Sequence, residues 1–244
     1  MEQPNYRHEL KYLVTDAQMA VLRSRVSGLM PADPHAGADG RYDIRSLYFD
    51  DYDDRCFYEN ENGTDPREKF RIRIYDRSRE HITLELKRKE RGKTLKLSAP
   101  LTEQQTRQLM TGQPLPMQPL PMQPLLTHGA DDTGQSALLR KLTLQMRERL
   151  LRPVVIVEYD RYPYIYRNGN VRVTFDTNVS SSSAISDFLL PQIPKRPVMP
   201  AGLQLLEVKF DEYLPDVIYR ALQLENLQQT AYSKFYLCRR YGIR

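Results

Sequence analysis

Charged or polar side chains, mostly Arg, Lys and Glu, recur at every second residue in five separate stretches of the chain. The stretches are residues 7–11, 69–73, 85–89, 171–175 and 205–209. Successive side chains of a β-strand point to opposite faces, so each stretch predicts a strand with one charged face and one mostly apolar face. One such strand is ordinary, because antiparallel sheets commonly leave a polar face in water. Five in one sheet would collect cations on one surface, and their mutual repulsion predicts a polyanion there.

The composition fits a globular protein with an anionic partner. The 244 residues allow one large domain or two small ones with a sizeable core. A net charge of +5 and a pI near 9.1 favour an anion, which could be nucleic acid, membrane or phosphate. Mean hydropathy is −0.62, and no apolar run approaches the roughly 18 residues that span a bilayer. The polar N-terminus and the isolated Cys56 and Cys238 favour a cytoplasmic protein without a transmembrane helix.

Hydrophobic periodicity and turn residues predict strands interleaved with a few helices. The predicted helices cover residues 15–29, 102–110, 136–151 and 215–227. Besides the stretch at residues 7–11, the predicted strands cover residues 42–49, 68–75, 81–89, 94–99, 154–162, 171–177 and 203–210. Thr15 and Thr102 are expected to cap their helices. Because the helices are too few for a repeated βαβ unit, the pattern favours an antiparallel α+β fold.

Three segments are expected to be surface connections. Residues 113–125 contain a tandem repeat of Pro-Leu-Pro-Met-Gln, which favours an extended polyproline conformation and could bind a proline-recognition module. An expanded surface loop is the simpler interpretation, because an insertion there costs little loop entropy. The serine run at residues 180–183 and the Pro-rich residues 191–200 are also predicted to be loops.

The charged strand faces allow two architectures. The apolar stripes of the helices must pack against the apolar face of the strands. The charged face is then either open to solvent or folded inward, as in a barrel with helices outside and charge inside, which would leave no sheet edge. Periodicity alone does not choose between them.

Eight segments, in order, resemble the VTC domain. They are residues 6–12, 46–50, 69–73, 84–87, 159–161, 171–176, 206–209 and 232–234. This is the polyphosphate polymerase domain first named for vacuolar transporter chaperones, in the triphosphate tunnel or CYTH superfamily. The resemblance runs from about residue 6 to 240 and implies a single domain over residues 1–244. It further implies an eight-stranded antiparallel tunnel with a cationic lumen and helices outside, and growth of a phosphate chain from ATP.

The resemblance also implies roles for particular residues. Catalytic positions are expected at Arg71, Arg73, Lys87, Lys96 and Lys234. Substrate-binding positions are expected at Lys11, Arg161, Arg172, Lys93 and Lys209. A divalent ion, Mn²⁺ or Mg²⁺, is expected at Glu207, with Glu9 and Glu85 as further metal candidates that could equally be ion-pair partners of nearby cations.

Two departures from the wider pattern bear on function. The superfamily's Glu-x-Glu-x-Lys strand is here Arg7-x-Glu9-x-Lys11, so one metal carboxylate is missing, which suits the polymerase branch better than a hydrolase. Ala231 stands where eukaryotic polymerases carry a second lysine.

Three functions from different classes therefore remain open. The first is an ATP-dependent polyphosphate polymerase, whose partners would be ATP, polyphosphate and possible membrane proteins that draw product across a bilayer. The second is a tunnel phosphohydrolase acting on inorganic or nucleoside triphosphate. The third is a polyphosphate sensor that binds without turnover. Nucleic-acid binding is less favoured, because the cations lie in strand centres and the chain has no recognised reader motif.

Overall fold

The computed structural model describes residues 6–116 and 132–241, which form one strongly curled antiparallel sheet with helices packed against it. The strands are β1 (His8–Thr15), β2 (Tyr42–Asp50), β3 (Arg67–Tyr75), β4 (Ile82–Glu90), β5 (Lys93–Leu101), β6 (Arg152–Tyr166), β7 (Val171–Ser182), β8 (Arg196–Pro197) and β9 (Leu203–Phe210). The helices are α1 (Asp16–Ser27), α2 (Arg55–Glu61), α3 (Glu103–Met110), α4 (Asp132–Glu148), α5 (Asp216–Leu222) and α6 (Lys234–Arg240). Most of the predicted Pro-rich insertion, from residue 117 on, lies outside the described residues.

Eight strands follow one another in the order β1-β9-β7-β6-β2-β3-β4-β5, and the short β8 pairs with β7 beside this path. Every pairing is antiparallel. The two outermost strands of the path meet at one bridge, where Arg7 donates to the Thr94 carbonyl (3.0 Å) and Thr94 donates to the Arg7 carbonyl (2.9 Å). The predicted antiparallel α+β fold is confirmed, and the charged face is the one folded inward.

Two apolar clusters cover the outer face of this sheet. One lies under α3 and α4 and contains Leu47, Ile72, Leu84 and Leu142, all fully buried. The other lies under α1 and α5 and includes Val14, Leu22, Val173, Val208 and Ile218. Because alternate residues of each strand enter these clusters, the residues between them must point to the concave face.

The sixth helix packs on the concave side of the sheet. Phe235 of α6 contacts Tyr48 of β2, with ring centroids 5.2 Å apart, and stands in a third apolar cluster with Tyr159 and Val157. Ser233 caps α6 by accepting a hydrogen bond from the Tyr236 amide. The predicted helices do not include α2 or α6, because the seven residues of each are too few to show a helical period.

Several local predictions were correct. Thr15 and Thr102 each form a complete capping box, in which the side chain accepts from the third helical amide and a glutamine side chain returns the bond. The strands predicted at residues 68–75 and 203–210 are β3 and β9.

Other local predictions were wrong. The serine run at residues 180–183 was expected on the surface, but Ser180, Ser181 and Ser182 are buried as the end of β7. The helix predicted over residues 15–29 ends earlier, as α1 (Asp16–Ser27), and Leu29 beyond its end is exposed. No helix among the described residues is long and apolar enough to cross a bilayer.

Candidate functional site

The concave face of the sheet encloses a cavity of about 620 Å³. Among the described residues its lining contains thirteen Lys or Arg side chains against two carboxylates, Glu9 and Glu207. Eleven of the thirteen residues that the resemblance picked out line it: Glu9, Lys11, Arg71, Arg73, Lys87, Lys96, Arg161, Arg172, Glu207, Lys209 and Lys234. They come from seven strands and α6, so only the curled sheet brings them together.

The remaining two predicted residues have different positions. Glu85 is buried in the cavity wall, where it faces the Arg71 side chain. Lys93 is exposed and does not line the cavity. Thr94 and Lys96 are the residues of β5 that point inward, so Lys93, one position out of phase, points to the other face. Its predicted role in substrate binding is therefore corrected.

Glu85 holds three cavity cations. Its carboxylate lies 2.6 Å from Arg71, 3.4 Å from Lys96 and 3.8 Å from Arg73. Burial alone would raise the pKa of Glu85, but these cations lower it well below the usual range. The ionised carboxylate therefore fixes the direction of the Arg71 and Arg73 guanidinium groups.

Like Glu85, two further buried carboxylates anchor cavity cations, and they join β6, β7, β9 and α6. Asp176 is fully buried and forms a bidentate pair with Arg161 at 2.6 and 2.7 Å, and its carboxylate is 2.5 Å from Lys234. Glu207 contacts Lys234 at 2.7 Å, Arg161 at 3.2 Å and Lys209 at 3.3 Å. Burial opposes charge on Lys234, but Asp176 and Glu207 raise its pKa above the ordinary value. Lys234 is thus a permanent cation held by two carboxylates.

Glu9 forms a further anchor at the β1–β5 seam. It accepts from Lys87 at 2.6 Å and from the Thr94 hydroxyl at 3.3 Å, and it contacts Lys11 at 3.4 Å. At Lys87, the effect of burial outweighs the attraction of Glu9 and lowers the pKa of the Lys87 ammonium group to about 7. Glu9 itself has a pKa well below its usual range, because Lys87 and Lys11 oppose the effect of burial.

Among the described residues that line the cavity, two carboxylates, Glu9 and Glu207, could hold a divalent ion. Lys11 lies 3.4 Å from Glu9 and 3.9 Å from Glu207, so both carboxylates face one point of the cavity. Among the described residues, no three or more His, Cys, Asp or Glu side chains are grouped so that they could hold a metal ion by themselves. Mg²⁺ commonly binds through one or two carboxylates together with water and substrate phosphates. The Glu9–Glu207 pair fits such an ion in the company of phosphate oxygens.

Tyrosines that the sequence analysis did not single out orient the cavity arginines. Arg71 donates to the Tyr48 hydroxyl at 2.8 Å, and Arg172 donates to the Tyr42 hydroxyl at 2.7 Å. Arg172 also pairs with the buried Asp33 at 2.5 Å. Tyr48 lies directly opposite Arg71 in the β2–β3 register, which alternation within one strand does not reveal. Asp33 lies 139 residues away in sequence, and no local pattern points to it.

Further cations line the cavity beyond the predicted set. They are Arg7, Arg67, Lys69 and Lys89. Lys69 and Lys89 continue the alternation of the 69–73 and 85–89 stretches, so the pattern itself could have included them.

One solved structure supports the architecture, and two others resemble it more weakly. A protein from Hippeastrum, described as a candidate adenylyl cyclase that reveals a dominant triphosphatase activity, has a TM-score of 0.51 at 12% identity, covering 98% of this chain and 96% of its own. A candidate adenylate cyclase from Bacillus halodurans has a TM-score of 0.48 at 16% identity, covering 90% and 88%. The mimivirus capping enzyme triphosphatase has a TM-score of 0.39 at 12% identity, covering 92% and 88%.

The curled eight-stranded sheet with its cation-lined interior is a triphosphate tunnel, or CYTH-like, fold. Within that class, the family model of the VTC domain matches residues 6–241. The chain belongs to the VTC domain family. No curated protein sequence matches it.

Proposed function

We propose that this chain is a metal-dependent polyphosphate polymerase, which transfers the γ-phosphate of ATP to a growing inorganic polyphosphate chain inside the cavity. The observation that carries the proposal is a cavity with thirteen Lys or Arg side chains among the described residues, in which buried carboxylates pair with four arginines: Arg71, Arg73, Arg161 and Arg172. Donor and product are both polyanions, and a planar guanidinium can bind two phosphate oxygens at once. Membership of the VTC family supports the same activity.

The described side chains suit phosphoryl transfer by positioning and charge neutralisation. This reaction needs little covalent participation from a protein, since its barrier is lowered by in-line alignment and stabilisation of the spreading negative charge. Arg71 and Arg73 on β3 and Arg161 on β6 present guanidinium groups to the cavity in fixed directions. Lys234 adds a point charge from α6. No nucleophilic side chain is needed in this scheme.

Mg²⁺ or Mn²⁺ is proposed as the cofactor, held by Glu207 with Glu9 beside it. When bound, the ion supplies Lewis-acid charge neutralisation at phosphate oxygens. Lys11 contacts both carboxylates. Each of them also pairs with at least one other cavity cation.

Product analysis tests the proposal. The chain is incubated with ATP and Mn²⁺ or Mg²⁺, and ADP, orthophosphate and gel-resolved polyphosphate are measured. A polymerase yields ADP with long-chain polyphosphate. Orthophosphate without chains would overturn the proposal in favour of a tunnel triphosphatase, and binding without any product would favour a sensor.

Glu207→Gln provides the matched variant. The amide keeps the volume but removes the charge that holds a divalent ion, so metal-dependent product should be abolished. The fold should survive, because Asp176 still pairs with both Arg161 and Lys234. Glu103→Gln, which changes an exposed carboxylate of α3, is the control. Unchanged activity of Glu207→Gln would contradict its role as a metal ligand and leave Glu9 as the candidate.

A further inference from the structure

Three cavity cations outside the predicted set stand together at one end of β3 and β4. Arg67 lies directly opposite Lys89 in the β3–β4 register, and Lys69, two residues along β3, lies on the same face. All three line the cavity. Like charges directly opposite one another destabilise a sheet pair. We call Arg67, Lys69 and Lys89 the β3–β4 cation cluster.

The described residues form no ion pair with this cluster, although Glu9 and Asp65 act on Lys89 from farther away. Every cavity cation in the predicted set has a carboxylate within 4.0 Å: Lys11, Arg71, Arg73, Lys87, Lys96, Arg161, Arg172, Lys209 and Lys234. No described carboxylate comes within that distance of the three cluster members. Glu68 and Glu90, the nearest acidic residues in sequence, alternate to the outer face and pair there with Arg88.

Neutral partners occupy the cluster instead. Lys69 donates to the Asn60 side-chain oxygen at 2.7 Å and lies 4.7 Å from the centre of the Phe235 ring. Arg67 donates to the Thr64 carbonyl at 2.7 Å. Burial, with repulsion from Arg67 and Lys87, lowers the pKa of Lys69 to about 7. An anion placed here would relieve both the repulsion and the cost of burying the charge.

The cluster extends the charged face beyond the arginine pair of the candidate site. Arg67 precedes Arg71 by four residues, which is about 13 Å along a strand. Only an anion that is extended and charged along its whole length can contact both sets at once. We infer that the β3–β4 cation cluster is a subsite for the distal phosphates of a long linear polyphosphate, and that it selects long chains over triphosphate. The inference rests on the proposed function and names the part of the cavity that recognises chain length.

Comparative binding tests the inference without requiring turnover. Affinities for tripolyphosphate and for a long-chain polyphosphate are measured by calorimetry over a range of salt. Arg67→Ala/Lys89→Ala should weaken long-chain binding about tenfold or more and leave tripolyphosphate binding within about twofold. By analogy with single-stranded nucleic acid, the log–log salt slope for the long chain should become shallower by about 1.4.

Two comparison variants sharpen the result. Arg25→Ala/Arg107→Ala removes the same charge from the outer helices α1 and α3 and should match the wild type. Arg67→Lys/Lys89→Arg keeps both charges and should retain long-chain selectivity. Retained tripolyphosphate binding shows that the cluster variant is folded.

Four outcomes would overturn the inference. If the cluster variant bound tripolyphosphate and long-chain polyphosphate equally more weakly, the cluster would contribute only to the general positive potential of the cavity. If Arg25→Ala/Arg107→Ala weakened long-chain binding as much as the cluster variant, the effect would come from net charge alone. A wild type that binds tripolyphosphate without preferring long chains removes the inference alone, whereas a wild type that binds neither ligand removes the proposed function as well.

Discussion

At the residue scale, the cavity depends on carboxylates that hold its cations in place. Glu85, Asp176 and Glu207 are each at least 96% buried and each contact two or more cations. Preorganised arginine side chains lose less conformational entropy when phosphate binds than side chains that are mobile in the unliganded protein. These anchors therefore stabilise the fold and prepare the cavity for anions.

Glu85→Gln should lower the free energy of unfolding by about 3–5 kcal/mol, because removing one partner leaves buried cations uncompensated. Chemical denaturation at pH 7 measures this change. Glu103→Gln breaks an exposed pair with Arg107 and should cost less than about 1 kcal/mol. Added tripolyphosphate should stabilise Glu85→Gln more than the wild type. Equal stability of the two variants would contradict the role assigned to Glu85.

The same carboxylate predicts a pH dependence. Because Arg71, Arg73 and Lys96 lower the pKa of Glu85 in the folded protein against the effect of burial, its stabilisation is present above the unfolded-state pKa. It is lost as the pH falls from about 5 toward the lowered folded-state value. Glu85→Gln should therefore show a smaller loss of stability than the wild type over this acid range.

Arg71→Ala and Arg73→Ala should each remove a charge-assisted bond of about 1.5–3 kcal/mol, which is roughly tenfold to a hundredfold in affinity. Arg→Lys at either position should remain clearly impaired, because a point charge cannot form a bidentate contact. Calorimetric titration with tripolyphosphate measures the effect, and Arg107→Ala on α3 is the control. If Arg71→Ala bound tripolyphosphate as tightly as the wild type, the charged face of β3 would have no role in binding phosphate.

At the element scale, α6 connects fold to site. It is a seven-residue helix, capped by Ser233, and its first residue is Lys234. Lys234 contacts Asp176 on β7 and Glu207 on β9, while Phe235 packs on Tyr48 of β2. The helix start thus sets the position of a cation that belongs to no strand.

Ser233→Ala should lower the free energy of unfolding by about 1 kcal/mol through loss of the helix cap. Thr102→Ala removes the cap of α3, which lies outside the cavity, and should cost a similar amount. Only the Ser233 variant should also weaken tripolyphosphate binding, because α6 carries Lys234. Ser233→Thr should restore both properties. Equal affinity in the two alanine variants would show that the start of α6 does not position the site.

At the scale of the whole molecule, the cavity is a concentrated positive field inside a protein whose net charge is only +5. Thirteen cations face inward, so the exterior must carry most of the acidic residues that balance them. A wall of low polarisability behind the cavity strengthens attraction for a polyanion.

Polyphosphate binding should consequently weaken steeply as salt rises, by analogy with counterion release from nucleic acids. Titrations of long-chain polyphosphate at low and moderate salt measure the slope. Orthophosphate, which contacts few cations, is the control and should show a shallow slope. A flat response for the long chain would mean that the inward-facing cations do not bind it.

The sequence by itself determined the strand faces and the family. Alternation is a local property of a strand, so the placement of Glu9, Lys11, Arg71 and Arg73 on the charged faces of their strands followed from their spacing. Capping boxes at Thr15 and Thr102 are equally local, since each is contained in four residues. The order of the motifs identified the VTC domain before any side-chain geometry was known.

Only the tertiary structure decided which way the sheet curls and which partners its charges take. Arg172 pairs with Asp33 across 139 residues, and α6 places Lys234 between two carboxylates on other strands. Lys93 was assigned against the alternation of its own strand, because one residue along β5 separates the cavity from the outer surface. Such contacts depend on strand register and sheet closure, which arise from packing between distant segments and leave no periodic trace in the sequence.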